Sequence, residues 1–486
     1  MKKLSVLIPS AFALTGLALS GQASAKFFED TVIGERPAVE KHMSQEDIEA
    51  GNLHLKKIIK HGKVVFDARF NELDGRGRPA TTGGGAPRDP HGQPEFLRTS
   101  GPDANACAGC HNQPSSGGAG DFVANVFVLA QTLDPVTESI SPEFSNERNT
   151  LGMFGAGPIE MLAREMTEEL ITIREDAKME AAYSNMSVTK PLEAKGVSFG
   201  SITVTPEGKV DPTNIEGVDW DLIIKPFHQK GAVVSLRQFT NNAMNHHHGI
   251  QTTERFGENT DPDQDGVENE LSVGDVTAAT VYQATLPAPK QKLSLNPIRR
   301  KAAREGEQLF SEVGCNSCHV PEMKLASREF SEPNPYNPNG NLKVEEVSEL
   351  LTWDMTRFNE GNSLLKRHRQ GAIIKAFTDL KRHNLCDDDY NHFCNEQLTQ
   401  GSLIGFASAD DFTVPGEPRP TEVFLTRKLW DVADSDPYGH RGDLTTITEA
   451  VYQHGGEARD VRDEFFDLQQ EDRDKIVEFL KTLGVF

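Results

Sequence analysis

Two short motifs constrain this chain more than anything else in it: Cys107-Ala-Gly-Cys110-His111 and Cys315-Asn-Ser-Cys318-His319. Each is Cys-x-x-Cys-His, the attachment pattern of c-type haem. Two thiols three positions apart reach the two vinyl groups of one porphyrin as thioethers, and the adjacent histidine meets the iron as proximal ligand. A lone Cys-x-x-Cys would equally suit a redox dithiol or half of a zinc site. Two copies, each followed by histidine, point to two covalently attached haems.

The remaining two of the six cysteines stand in Cys386-Asp-Asp-Asp-Tyr-Asn-His-Phe-Cys394. In an oxidising compartment a local disulfide is the plain expectation; a thiolate haem ligand or redox-active pair is the sharper one. The compartment is read from the start of the chain. Met1-Lys2-Lys3 precedes a mostly apolar run from Leu4 to Leu19 and then Gly21-Gln-Ala-Ser-Ala25, the layout of a cleaved secretory signal. Pro9, Ser10, Thr15 and Ser20 interrupt the run, which argues against a membrane anchor, and no later stretch is apolar enough to span. A periplasmic protein is expected. Acidic residues outnumber basic ones, 73 to 50, for a formal charge of −23. That balance disfavours capture of a phosphate backbone, so nucleic acid is not an expected partner.

Roughly 200 residues separate the two motifs, far more than a bare tandem of roughly 100-residue modules needs. Ser44-Gln-Glu-Asp47 reads as a helix start, with apolar residues on a helical period to about Lys63. A Gly- and Pro-rich loop from Asn71 to Pro102 then delivers Cys107. A second helix opens at Asn296-Pro297 and runs to Gly314, directly before Cys315. A last helix, about Glu471 to Leu483, places Ile476, Phe479, Leu480 and Leu483 on one face. Between the motifs lie a helical stretch near Ile159 to Met179 and a strand-forming run from Val197 to Val204. The expected fold is mainly α: two cytochrome c-like haem domains with a small β element and long loops in the insertion. The expected boundaries are 1–25 for the signal, 26–290 for the N-terminal haem domain and 291–486 for the C-terminal one.

Several motifs together resemble a known family. They are the two haem motifs; Gly155-Ala-Gly-Pro-Ile-Glu160; Asn245-His-His-His-Gly-Ile-Gln251 with Thr-Thr-Glu254-Arg255; Gly314 to Pro321; and Leu429-Trp430 through Pro437-Tyr-Gly-His440-Arg-Gly442 into Thr446-Ile-Thr-Glu-Ala450. From Gly62 to the C-terminus the chain resembles the bacterial di-haem cytochrome c peroxidase superfamily, most closely its branch of peroxidase-like and thiol oxidoreductases. The resemblance implies two haem domains facing each other, an active-site haem that meets peroxide, an electron-entry haem, a tryptophan between them (here Trp430), and bound calcium. Two positions depart from the pattern. Better-known members carry a Met ligand where this chain has Gly439, leaving Met323, Met355, His383 or His440 as substitutes. They also carry a distal histidine soon after the first motif, whereas no histidine lies here between His111 and His228.

Peroxide cleavage needs an acid–base group near an open iron position. Glu160, in a Gly-rich turn before an apolar helix, fits that role, with helix capping as its plainer one. Of His246, His247 and His248, at most one or two can face a single site, because consecutive side chains diverge. Gln251, Glu254 and Arg255 are candidates for the same pocket. Asp261, Asp263 and Asp265 are spaced two apart before Gly266, as in calcium loops, although the twelfth loop position is Ser272 and not Glu. The resemblance implies an oxidoreductase that passes electrons from a small cytochrome c or cupredoxin to hydrogen peroxide or another small oxidant. Oxidation of a protein side chain or sulfur compound, and simple electron carriage, are the alternatives.

Overall fold

The computed structural model describes residues 35–76, 104–120, 124–126, 146–262, 265–357, 365–389, 412–413 and 422–485. The architecture is mainly helical, with small antiparallel sheets. The helices in chain order are α1 (Gln45–Glu49), α2 (Leu55–Asp67), α3 (Cys107–Cys110), α4 (Ala156–Ser184), α5 (Leu236–Ala243), α6 (Thr253–Phe256), α7 (Val273–Ala284), α8 (Pro297–Glu312), α9 (Ile447–Tyr452), α10 (Arg459–Asp467) and α11 (Gln470–Leu480). The expected single helix after Ser44 is two. Ser44 caps the first by accepting from the Asp47 amide, and the chain turns before His54 opens the second.

Each Cys-x-x-Cys-His motif is flanked by a helix pair crossed at a glycine. On α2, a Cβ at Gly62 would lie 1.9 Å from the Ala278 carbonyl oxygen of α7. On α8, a Cβ at Gly306 would lie 1.9 Å from the Lys475 carbonyl oxygen of α11. Only a residue without a side chain lets two backbones pass this closely. The pairing explains why helices so distant in sequence stay together: α11 brings Ile476, Phe479 and Leu480 onto Phe310 of α8, and with Phe465 they form one buried cluster. The larger core contains Phe66, Leu162, Phe199 and Ala278, together with Phe330, Trp353, Ile374 and Trp430, so residues on both sides of position 290 share it.

The expected strand run pairs as a three-stranded antiparallel sheet, Val188–Ala194, Val197–Val204 and Val210–Asp211. Its Leu192, Phe199 and Ile202 are buried in the larger core, which also holds Ala177 and Ala181 of α4. A second small pair, Glu329–Glu332 and Leu351–Asp354, sets Phe330 opposite Trp353, with ring centroids 4.7 Å apart. Arg164 of α4 lies over the Phe330 ring.

One fully buried ion cluster ties these parts together. Arg237 on α5 donates through Nε to Glu332 at 2.6 Å, and also to Glu254 of α6 and Thr277 of α7. A buried guanidinium is tolerated only when its donors are matched in this way.

Candidate functional site

The first motif forms one helical turn, α3, with the His111 amide closing back onto the Cys107 carbonyl at 2.9 Å. Nδ1 of His111 lies 3.3 Å from the Gly118 carbonyl oxygen. A carbonyl only accepts, so this bond requires the proton on Nδ1, and the neutral ring then carries its lone pair on Nε2. Burial keeps the ring neutral by pulling its pKa down to about 4. The second motif repeats this arrangement. His319 donates from Nδ1 to the Phe377 carbonyl at 3.1 Å, and burial lowers its pKa to about 4, with His454 adding to the effect.

All four motif cysteines are free thiols. Burial pushes Cys107 up to about 12 and Cys315 up to about 11. Each motif thus presents two reduced thiols and a neutral imidazole whose far nitrogen is fixed by the backbone. That donor set fits thioether attachment and axial ligation of a haem.

Each motif also opens on a cavity. The first, about 230 Å³, is walled by Phe66, Cys107, Cys110, His111, Leu236 and Phe239. The second, about 330 Å³, is walled by Phe310, Cys315, Cys318, His319, Ile447 and Trp430. The two cavities share a wall made of Asn149–Gly152, Gln229, Leu425–Lys428 and His440. Gln229 holds His440 there: its Oε1 lies 2.8 Å from the His440 Nδ1 and its Nε2 donates to the His440 carbonyl. Asn149 donates to the carbonyls of Pro437 and Gly439 at 2.7 and 3.0 Å. His440 therefore faces both cavities from a clamped segment. Trp430 lines the second cavity only.

The triple histidine forms a π-helical turn, Met244–His248, ended by Gly249. His247 and His248 both line the first cavity, and the side chain of His246 lies outside the described residues. His248 is held by a bond between Nδ1 and the Ala104 carbonyl at 2.8 Å, with its Nε2 3.4 Å from the Cys107 sulfur.

Other expected site residues lie elsewhere. Glu160 is fully buried and lines neither cavity: Oε1 accepts from Arg164 and from Asn334 at 2.7 Å, and Oε2 accepts from the Leu236 amide at 2.8 Å. Its carboxylate fixes the start of α5 and is used up in doing so. Glu254 is likewise taken by Arg237, Asn241 and the Leu342 amide. Gln251 is buried outside both cavities, and its backbone N–H donates to the Glu270 carboxylate. Arg255 reaches Asn242 at 2.9 Å and lines neither cavity. Met323 and Met355 belong to the larger core, where the Met355 sulfur accepts from Trp353 Nε1 at 3.0 Å. His383 lines the second cavity, but its Nε2 binds Asp379 and its Nδ1 binds Glu457, both at 2.8 Å. Burial works against its charge, yet the Asp379 and Cys318 contacts hold it protonated, with a pKa near 11. A protonated imidazole has no lone pair to give iron.

In the acidic turn, Asp261 accepts from the amides of Asp265 and Gly266 at 3.1 and 3.0 Å, while Asp263 lies outside the described residues. The Asp261 carboxylate thus braces its own loop. Cys386 is disulfide-bonded, and Cys394 lies outside the described residues.

Three cavity-lining residues carry no signal in the sequence. His228 lines the first cavity edge-on to Phe239, with centroids 5.6 Å apart. His454 lines the second, 6.5 Å from the His319 ring. Arg427 lines both. Each is a single residue with no motif around it, so only the tertiary fold reveals its place.

No protein-family model and no curated protein matches the sequence. Among solved structures, hydrazine synthase of Kuenenia stuttgartiensis is similar at 13% identity and a TM-score of 0.35, over 98% of this chain and 100% of that one. A MauG-like protein associated with microbial copper homeostasis is similar at 15% identity and a TM-score of 0.27, over 58% of this chain and 78% of that one. Similarities this low carry no weight for fold or for function.

Proposed function

We propose that this chain is an exported di-haem c-type oxidoreductase that reduces hydrogen peroxide or a related small oxidant with electrons from a small redox protein. The observation that carries the reading is the repeated geometry: two Cys-x-x-Cys-His motifs, each with its histidine Nδ1 tied to a backbone carbonyl, open on cavities that share one wall. In this reading Cys107, Cys110 and His111 hold one haem, and Cys315, Cys318 and His319 hold the other. When bound, haem supplies one-electron transfer and a metal position at which an O–O bond is broken.

The chain's own residues do the rest. The Gly118 and Phe377 carbonyls fix the tautomer of the two proximal imidazoles. The segment from Leu425 to Lys428, with His440, lines both cavities and so stands between them. Reducing hydrogen peroxide to two waters consumes two electrons and two protons, and the His247 imidazole at the first cavity is suited to move a proton between the oxygens. The first cavity is assigned to the oxidant because His228 and His247 both face it. The second is assigned to electron entry. The acidic surplus of the chain suits a positively charged donor protein.

The test is spectroscopic. The purified protein should give two haems per chain in a pyridine haemochrome assay. Oxidised and half-reduced samples should show one high-spin iron that responds to peroxide in optical and EPR spectra. A haem count other than two overturns the attachment reading. Two low-spin irons that ignore peroxide would leave an electron carrier in place of an enzyme.

A further inference from the structure

Arg427, half-buried at the wall of the two cavities, stands apart from the buried cations. Arg237 meets Glu254 and Glu332, Arg382 meets Asp219 at 2.5 Å, and Arg462 meets Asp463 at 2.7 Å. Among the described residues, none forms an ion pair or hydrogen bond with Arg427, which projects into the wall common to both cavities. The adjacent Lys428 lines the same two cavities, and among the described residues its Nζ hydrogen-bonds only to the Trp430 carbonyl, at 3.5 Å. Burial alone accounts for the downward pull on the Arg427 guanidinium, to about 10, with no carboxylate acting on it.

A guanidinium stays charged in proteins, so it cannot escape burial by losing its proton. Even partial withdrawal from water without a counter-charge costs a cation part of its solvation. Two neighbouring cations in one wall compound that cost. An anion is therefore missing from the described chain, and it must be reachable from both cavities. Asp431 does not supply it. Its carboxylate influences Lys428 but not Arg427, and burial raises its own pKa to about 7.

We infer that Arg427, backed by Lys428, is the seat for haem propionates at the shared wall, binding carboxylates from both haems and so fixing the two porphyrins relative to each other. The inference rests on the di-haem reading above. Propionates have the required chemistry: flexible carboxylates that take a guanidinium in bidentate fashion. The arrangement also gives Arg427 an electrical role. A positive charge beside the propionates offsets their negative charge and favours the reduced iron at both sites.

Arg427→Gln and Arg427→Lys, each matured to the haem-loaded state, test this. Haem count and thermal unfolding come first, so that loss of fold or of attachment is seen separately. Potentiometric titration followed optically then reads each haem. The expected result is two haems per chain in both variants, with both midpoint potentials lowered in Arg427→Gln and largely restored in Arg427→Lys. The propionate bending bands in resonance Raman spectra should shift in the same order. Should Arg427→Gln fail to take up haem, the Lys variant carries the test through the Raman bands, since a lysine cannot reproduce the bidentate contact. Unmoved potentials, or a change confined to one haem, overturn the shared seat. A wild-type protein without two haems would instead overturn the di-haem reading itself.

Discussion

Glu160 offers the sharpest test of whether a carboxylate beside a haem-type cavity acts on substrate or on structure. It is completely enclosed, and three donors converge on it: Arg164, Asn334 Nδ2 at 2.7 Å and the Leu236 amide at 2.8 Å. Glu160→Gln keeps the shape but replaces one acceptor oxygen with a donor, so at least one of the three faces another N–H. Breaking a buried, hydrogen-bonded ion pair costs about 3–5 kcal/mol. Arg164 retains its bonds to Ser331 and keeps 12% of its side chain in solvent, which places the expected loss at the lower end, about 3 kcal/mol. With a urea slope of about 3 kcal/mol per molar, the unfolding midpoint followed by circular dichroism should fall by about 1 M. Peroxide turnover measured well below the transition should be retained. Lost turnover with an unmoved midpoint would refute the reasoning and return Glu160 to the reacting atoms.

Other outcomes follow from particular contacts. Asp275 accepts from His42 and His61, both at 2.6 Å; burial opposes its charge, but these bonds outweigh burial and hold it well below the usual carboxylate range. Its contribution is complete above about pH 3.9 and is lost as pH falls through its lowered native value. His42 is raised by its bond to Asp275, so its share is complete below about pH 6.5 and fades as pH rises through the raised value. Thermal unfolding of Asp275→Asn across this range should lose both limbs; an unaltered pH profile counts against the cluster. Gly439 has φ of 82°, and a Cβ there would lie 2.8 Å from Leu444, so Gly439→Met should cost about 1–2 kcal/mol and show no methionine–iron band in the near infrared. Gly62→Leu and Gly306→Leu should each prevent stable folding, since each would drive a side chain into a backbone carbonyl 1.9 Å away; a folded variant with native circular dichroism would contradict the helix crossings.

The spacing of the two motifs is local, and so it was legible. Cys-x-x-Cys-His is a contiguous pattern, and the structure places each copy on a tight turn at a cavity. The helices beginning at Ser44 and Pro297 carry their caps within a few residues, so their starts were legible too. Glu160 misled because a carboxylate in a Gly-rich turn reads the same whether it faces a pocket or a guanidinium one turn away. His383 misled for a related reason: a ring bonded to carboxylates on both nitrogens is written in sequence like any other histidine.

The sequence by itself determined the two Cys-x-x-Cys-His motifs and the expectation of a group bound at each, because that pattern depends on spacing over five positions. The tertiary structure alone decided what faces the held group. Gln229 and His440, Arg427 and the two cavities, and His454 and His319 come together across long separations in the chain, through helix crossings and a shared wall. Burial makes the motif imidazoles neutral, the bond to Asp379 holds His383 protonated against burial, and Arg427 is left as a cation without a partner among the described residues. Solvent exclusion is a property of packing, and no local pattern of residues encodes it.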